Sequence, residues 1–243
     1  TPASGAMRAY GIPQVSFAIE SNVEDAAGIL GIDSLKLRQM NMMPVGYKDD
    51  FTKNINYFDS LNQCIAKGKA YIDYERKHAE YAKQTGPIRR GVGMAIFWYN
   101  TAVWPISLEA SSCRMVMNQD GSVQFEIAET EIGQGADTAF AQMVADTVGV
   151  PFEKVHVMST QDTDITPFGT GAYASRQTYV AGFAIHQIGT QLKNKVLNYA
   201  SYLTGKSVDA LDLVDGIVIE KSTKEPLMPI DELATTALYS LDQ

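Results

Sequence analysis

Twice in this chain an Asp-Gly pair sits beside short apolar runs that alternate in the manner of strands. Asp120-Gly121 lies between residues 112–117 and Val123–Ile127, and Asp215-Gly216 precedes Ile217–Ile219. Asp-Gly accepts the left-handed backbone of a tight turn, so each pair predicts an antiparallel hairpin. Between and around them the apolar spacing changes to three and four. Pro13 suits a first helical turn, and Phe17, Ile19, Ala26, Ala27 and Leu30 continue to a stop at Gly31. Asp33 or Ser34 caps a short helix through Met40. Residues 57–84, with Leu61, Ile65, Tyr71, Tyr74 and Tyr81, read as one broken helix or two. A buried strand is expected over 91–99 (Val92, Met94, Ile96, Trp98), a helix over 137–148, a short strand over Val155–Met158, a long helix from about Ser175 to Leu203, and a last helix after Pro229. Strands and helices mix without regular βα alternation, which places the chain in the α+β class, with mixed sheets and flanking helices.

Composition removes several function classes. The chain has 243 residues and a net charge of −8, and its basic residues form no stripe, which argues against nucleic acid as a partner. No apolar run is long enough to span a bilayer. Neither export signal nor initiator Met is visible, and the chain opens inside a small-residue loop. We therefore expect a cytoplasmic protein cut from something longer. Two cysteines, Cys64 and Cys113, exclude an iron–sulfur ligand set or a zinc Cys cluster within these residues. His78, His156 and His186 are scattered, so no metal ligand set is assigned. Gly86-Pro87 marks a change of composition and a boundary: a mostly helical segment, 1–88, precedes an α+β segment, 89–243.

Two loops stand out chemically: Thr130-Glu131-Ile132-Gly133-Gln134-Gly135-Ala136-Asp137-Thr138 and Gly169-Thr170-Gly171-Ala172-Tyr173-Ala174-Ser175-Arg176-Gln177-Thr178. Each is a small-residue loop feeding a helix start. Such a place presents unpaired amides and a partial positive charge to an anion or a polar cofactor edge. Gln134 adds a donor and an acceptor suited to a heterocycle. Asp137 and Ser175 are equally readable as plain helix caps, and Glu131 as a cap or hydrogen-bond acceptor. The aromatic run Phe97-Trp98-Tyr99 reads as core or as the wall of a pocket. Met40, Met42 and Met43 read as flexible packing.

A third stretch, Gly5-Ala6-Met7-Arg8-Ala9-Tyr10-Gly11-Ile12-Pro13-Gln14, completes an ordered set. Together the three resemble the molybdenum hydroxylases, meaning xanthine dehydrogenase, aldehyde oxidoreductase and their relatives. They are similar to that family's Arg-Gly-Phe-Gly-x-Pro-Gln motif, Met-Gly-Gln-Gly pterin loop and Ala-Ser cofactor loop. Leu30-Gly31-Ile32-Asp33 and Arg38-Gln39-Met40-Asn41 resemble the stretch between them. The likeness covers essentially the whole chain and is nearest to molybdenum-binding subunits of bacterial xanthine dehydrogenases.

The resemblance implies a set of roles. Residues 1–88 would end a first molybdenum-cofactor-binding domain and 89–243 would begin a second. Arg8, Gln134, Gly135, Ala174, Ser175 and Arg176 would contact a molybdopterin cofactor carrying molybdenum, with a cytosine dinucleotide form as one option. Ala174, Ser175 and Arg176 would do so through backbone amides. Tyr10, in place of the family's Phe, and Phe97 would bind a planar substrate, with Trp98 and Trp104 as further candidates for the second aromatic wall. The family's base is a glutamate in a Gly-x-Gly-Glu motif, expected beyond Gln243, so no catalytic residue is assigned here and the chain alone is expected to be inactive. Iron–sulfur clusters and FAD would sit on other subunits or domains. The implied activity is oxidation of a purine, xanthine or hypoxanthine, with water as oxygen source. The alternatives are a molybdenum hydroxylase acting on an aldehyde, nicotinate or an aromatic acyl-CoA, a non-catalytic module derived from the family, and an unrelated α+β ligand-binding domain.

Overall fold

The first apolar stripe forms α1 (Ile12–Leu30) in a computed structural model that describes residues 5, 8–97, 99–103, 109–158 and 162–239. Gly31 ends it at φ 66°, and α2 (Ser34–Met40) follows at once. Asp33 caps α2, its carboxylate accepting the Lys36 amide at 2.8 Å. The 57–84 region is two helices, α3 (Ser60–Ile72) and α4 (Tyr74–Tyr81), broken where Asp73 turns left-handed at φ 54°. That break rotates the apolar stripe. Tyr74 is buried, whereas Tyr71, expected on the same face, is 91% exposed.

Packing divides the chain into two compact units, Thr1–Asn100 and Thr101–Gln243. The first has a small core of Leu35, Ile65 and Tyr74, with Val92, Met94 and Ile96 packed against it. The strand expected over 91–99 is not formed in the described part of that stretch. Residues 91–97 do alternate between half-buried and exposed, but no neighbouring strand completes a ladder, and the Ile96 amide goes to the Glu20 carboxylate at 3.3 Å. The alternation is real, and what it reports is packing on helices. Trp98 and Trp104 lie outside the described residues. Within the same unit Arg38, 7% exposed, braces α1 to α2 through Glu20 at 2.6 Å and Glu24 at 2.8 Å.

The second unit holds two three-stranded sheets. In one, β1 (Cys113–Met117) pairs antiparallel with β2 (Val123–Ile127), and β2 pairs parallel with β3 (Val155–Met158). The turn between β1 and β2 spans 118–122, with the Asn118 amide donating to Ser122 O at 2.8 Å. In the other sheet β4 (Leu211–Val214), β5 (Ile217–Glu220) and β6 (Pro226–Pro229) run antiparallel in that order. Sequence reading missed β6 because proline cannot donate to a ladder, and β6 avoids that difficulty as an edge strand.

Helices α5 (Ala136–Val148) and α6 (Gln177–Thr204) pack together over these sheets, and α7 (Ile230–Tyr239) closes the chain. Phe140, Val144 and Val148 of α5 are fully buried, as are Ala181, Ile185 and Ala200 of α6. Burial of each large apolar side chain stabilises the unit by roughly 1.5–3 kcal/mol. Gly189 permits the close approach of the pair, since a Cβ there would meet Thr147 Cγ2 at 2.8 Å. The consequence for function is positional. A rigid α5–α6 pair presents two helix N-termini, each fed by one of the two loops singled out in the sequence.

Candidate functional site

The first loop, Thr130–Gly135, leaves β2 and enters α5. Gly133 and Gly135 sit at φ 94° and 84°, where a side chain would be strained. No side chain caps α5 in the ordinary way, and Asp137 does not take that part. Glu131 does so from further back. Its carboxylate accepts the amides of Gly133 at 2.6 Å, Gly135 at 3.2 Å and Asp137 at 3.1 Å. The Asp137 amide, with those of Gly135 and Gly133, holds the Glu131 carboxyl below the usual carboxylate range against the opposing effect of burial. Glu131 is thus an ionised acceptor that orders the loop.

Gln134 closes the loop on itself and ties it to the second one. Its Oε1 accepts the Ile132 amide at 2.7 Å. Its Nε2 donates to Thr130 O at 2.9 Å and to Gln177 Oε1 at 2.7 Å, while Gln177 Nε2 donates to the same Thr130 carbonyl at 2.7 Å. Both hydrogens of the Gln134 amide are therefore spent inside the protein, and what it has left to offer a ligand is a lone pair on Oε1. Gln177 was not singled out in the sequence, and nothing distinguishes it there from any glutamine in a first helical turn.

The second loop enters α6 through two consecutive left-handed residues, Ala174 at φ 49° and Ser175 at φ 53°. For that reason α6 begins at Gln177 and Ser175 does not cap it. Such strain in non-glycine residues gathers at functional sites. The loop carbonyls are fixed: Tyr173 O accepts the Arg176 amide at 3.0 Å, and Ala174 O accepts the Ala102 amide at 2.7 Å. In a planar trans peptide the N–H points opposite to the carbonyl. The amides of Ala174 and Ser175 thus point opposite to those two carbonyls, and neither has a hydrogen-bond partner among the described residues. The Arg176 amide, by contrast, is spent within the turn. Nearby Thr170 Oγ1 is buried without a hydrogen-bond partner among the described residues.

The Arg176 side chain is fully buried and lies among carboxylates. Nε donates to Glu109 at 2.6 Å, Nη1 to Glu129 at 3.0 Å and to Gly171 O at 2.9 Å, and Nη2 to Ala110 O at 2.6 Å. The guanidinium also stands 5.5 Å from the centre of the Tyr173 ring. Burial works against its charge, yet the hydrogen bonds to Glu109 and Glu129 outweigh it and hold its pKa above the ordinary value. Neither glutamate carried a sequence signal, since their relation to Arg176 spans 67 and 47 residues.

In the first unit, Arg8 is exposed in the turn ahead of α1, followed by Ala9, Tyr10 and Gly11 at φ 80°, 56° and 89°. Tyr10 is 52% exposed. Phe97 is 62% exposed and lines a cavity of about 590 Å³ with Met42, Phe58 and Tyr99, so it is not the core residue that its aromatic run allowed.

In the second unit the two loops fit a polar, anionic cofactor: unpaired amides, left-handed turns and an unpartnered hydroxyl, all among the described residues. Where a Cβ would stand at Gly133, Gly135 and Gly171 there is no atom within 4 Å, so a ligand can come close to the backbone. Comparison with known proteins agrees. Residues 1–42 and 67–242 each match a family described as a molybdopterin cofactor-binding domain. The chain is 46% identical over 98% of its length to the putative xanthine dehydrogenase molybdenum-binding subunit XdhA of Escherichia coli K12, and spans 32% of that protein. It is 30% identical over 76% of its length to xanthine dehydrogenase of Drosophila subobscura, spanning 14% of it. Among solved structures, quinoline 2-oxidoreductase from Pseudomonas putida 86 superposes with a TM-score of 0.77 at 24% identity over 97% of this chain and 31% of that one. The Cu,Mo-CO dehydrogenase superposes with a TM-score of 0.74 at 24% identity, covering 94% of this chain and 31% of that chain.

Proposed function

The chain belongs to the molybdopterin cofactor-binding family, and on that premise we propose that it is part of the catalytic subunit of a xanthine dehydrogenase-like hydroxylase. The proposed reaction converts a purine ring C–H to C–OH, with the oxygen drawn from water. The observation that carries the proposal is the pair of unpaired amides at Ala174 and Ser175, held beside the Gln134 loop at the entrance of the packed α5–α6 pair. The identity to a bacterial molybdenum-binding subunit gives that geometry its chemical meaning.

Molybdopterin, when bound, supplies the two-electron redox chemistry, and the protein supplies placement and electrostatics. Ala174 and Ser175 would donate through their amides, Gln134 would accept through Oε1, and Gly135 lets the first loop approach closely. Arg8 would contact the cofactor as well, and the ring of Tyr10 would bind the substrate together with Phe97. Tyr10 retains a stacking face, and its hydroxyl adds a polar edge absent from a phenylalanine. We assign residues 1–88 to the end of a first cofactor-binding domain and 89–243 to the start of a second, and expect iron–sulfur and FAD partners to carry electrons away.

The test is the molybdenum and pterin content of the native complex, recovered from its own cells, followed by a substrate panel. The proposal predicts about one molybdenum per chain and turnover of xanthine or hypoxanthine ahead of aldehydes, nicotinate and aromatic acyl-CoA. Preference for one of the latter would keep the cofactor reading and replace the substrate. An intact complex without metal would favour a non-catalytic module.

A further inference from the structure

The second loop owes its shape to a side chain, and the bonding shows how. A guanidinium has five N–H donors in a rigid planar fork. Arg176 directs its fork at four residues on three separate pieces of the chain: Glu109 and Ala110 ahead of β1, Glu129 at the stem of the first loop, and Gly171 at the far side of its own loop. The Gly171 contact closes the loop across five residues, from the carbonyl at its start to the side chain at its end. Glu109 adds a second connection, because its other oxygen accepts the Val103 amide at 2.7 Å. Val103 follows Ala102, whose amide holds the carbonyl of Ala174. A path of hydrogen bonds, joined by the covalent Ala102–Val103 backbone, therefore runs from the guanidinium to the peptide whose N–H belongs to Ser175. Lysine, a point charge with three donors on a flexible stem, cannot serve four acceptor residues at once.

We propose that Arg176, with Glu109 and Glu129, is a positioning residue that aims the Ala174 and Ser175 amides at the cofactor. Its own amide makes no such contact. This rests on the reading of the loop as a cofactor loop, and it assigns the side chain a role distinct from that of the backbone beside it. The two left-handed residues are strained and lie at a helix entrance, where local unfolding is easy. The buried fork is what keeps them in that state before any ligand arrives.

The test uses the full-length native complex in two forms, with cofactor and from cells unable to make the pterin. Arg176→Lys is compared with Arg38→Lys, the same exchange in a Glu–Arg–Glu cluster of the other unit. In the cofactor-free complex, hydrogen exchange at the Arg176 and Ala102 amides should speed up by about tenfold or more in Arg176→Lys and stay unchanged in Arg38→Lys. In the complete complex, molybdenum per chain should fall by about tenfold in Arg176→Lys, and by much less in Arg38→Lys at a matched loss of melting temperature. Unchanged exchange at both amides would overturn the proposal. So would lost protection with full molybdenum content, which would make the cluster merely structural. Wild-type complex without molybdenum would instead overturn the cofactor reading and this proposal with it, and the exchange data would show whether the arginine orders the loop regardless.

Discussion

Two arginines in this protein solve the same electrostatic problem in different settings. Arg38 and Arg176 are both buried, and each is held between two glutamates. Around Arg38 the second acid, Glu24, has a side chain 54% exposed, and all three residues lie on neighbouring helices. Around Arg176 the side chain of Glu129 is sealed at 0% and that of Glu109 is 12% exposed, and the partners come from distant segments. The first cluster braces two helices that other contacts also hold together. The second holds loops that have no ladder or helix of their own. Burial of the same three charges therefore carries different weight in the two places, because water can replace a lost partner in one and not in the other.

The largest expected effect follows directly. Arg176→Met leaves the sealed Glu129 and the mostly buried Glu109 carboxylates without their cation, and should destabilise the protein by about 3–5 kcal/mol, measured by urea unfolding. Arg38→Met should cost less, about 1–3 kcal/mol, since Glu24 already stands in water and only Glu20 loses a buried partner. Equal losses in the two variants would break the comparison, and a larger loss at Arg38 would reverse it.

The same contrast explains what could be read from the amino-acid order. The cap of α2, the glycine stop of α1, both hairpins and the α+β class rest on neighbours a few residues apart, and they appear where the sequence puts them. Glu131 was legible as a local acceptor for the same reason. The motif residues marked the two loops, yet Glu109, Glu129 and Gln177 were silent, because a pairing across some 43 to 67 residues leaves no periodic trace. The strand expected over 91–99 failed for a related reason. Alternation reports which side chains are buried, and it cannot report whether a second strand is present to pair with the backbone.

A middle-sized effect sharpens the picture of how the two loops share their load. Gln177→Ala removes the amide that links Thr130 O and Gln134, while leaving Arg176 in place. It should cost about 1 kcal/mol, the worth of an ordinary neutral hydrogen-bond contact, and should loosen the first loop more than the second. Limited hydrogen exchange over residues 130–137 and 171–177 would measure this. A loss as large as that of Arg176→Met would shift the keystone role from the arginine to the glutamine pair.

The smallest effect concerns the acid that needs no distant partner. Glu131 is held by three amides of its own loop, which depress its carboxyl below the usual value. A depressed carboxylate contributes stability that is fully present above the unfolded-state pKa, about 4.3, and is lost as pH falls through the lower folded value. Glu131→Gln keeps an acceptor but removes the charge that the helix entrance favours. Its melting temperature should therefore fall slightly below wild type at pH 7, and the gap should close as the medium is acidified below about pH 4. Were the gap instead to widen on acidification, the carboxylate would not be the form that orders this loop. Because the three bonds are local and the residue is only half-buried, the change should remain well under that of either arginine. That ranking is the test: a half-buried acid supports one turn of backbone, and a sealed arginine supports the whole second loop.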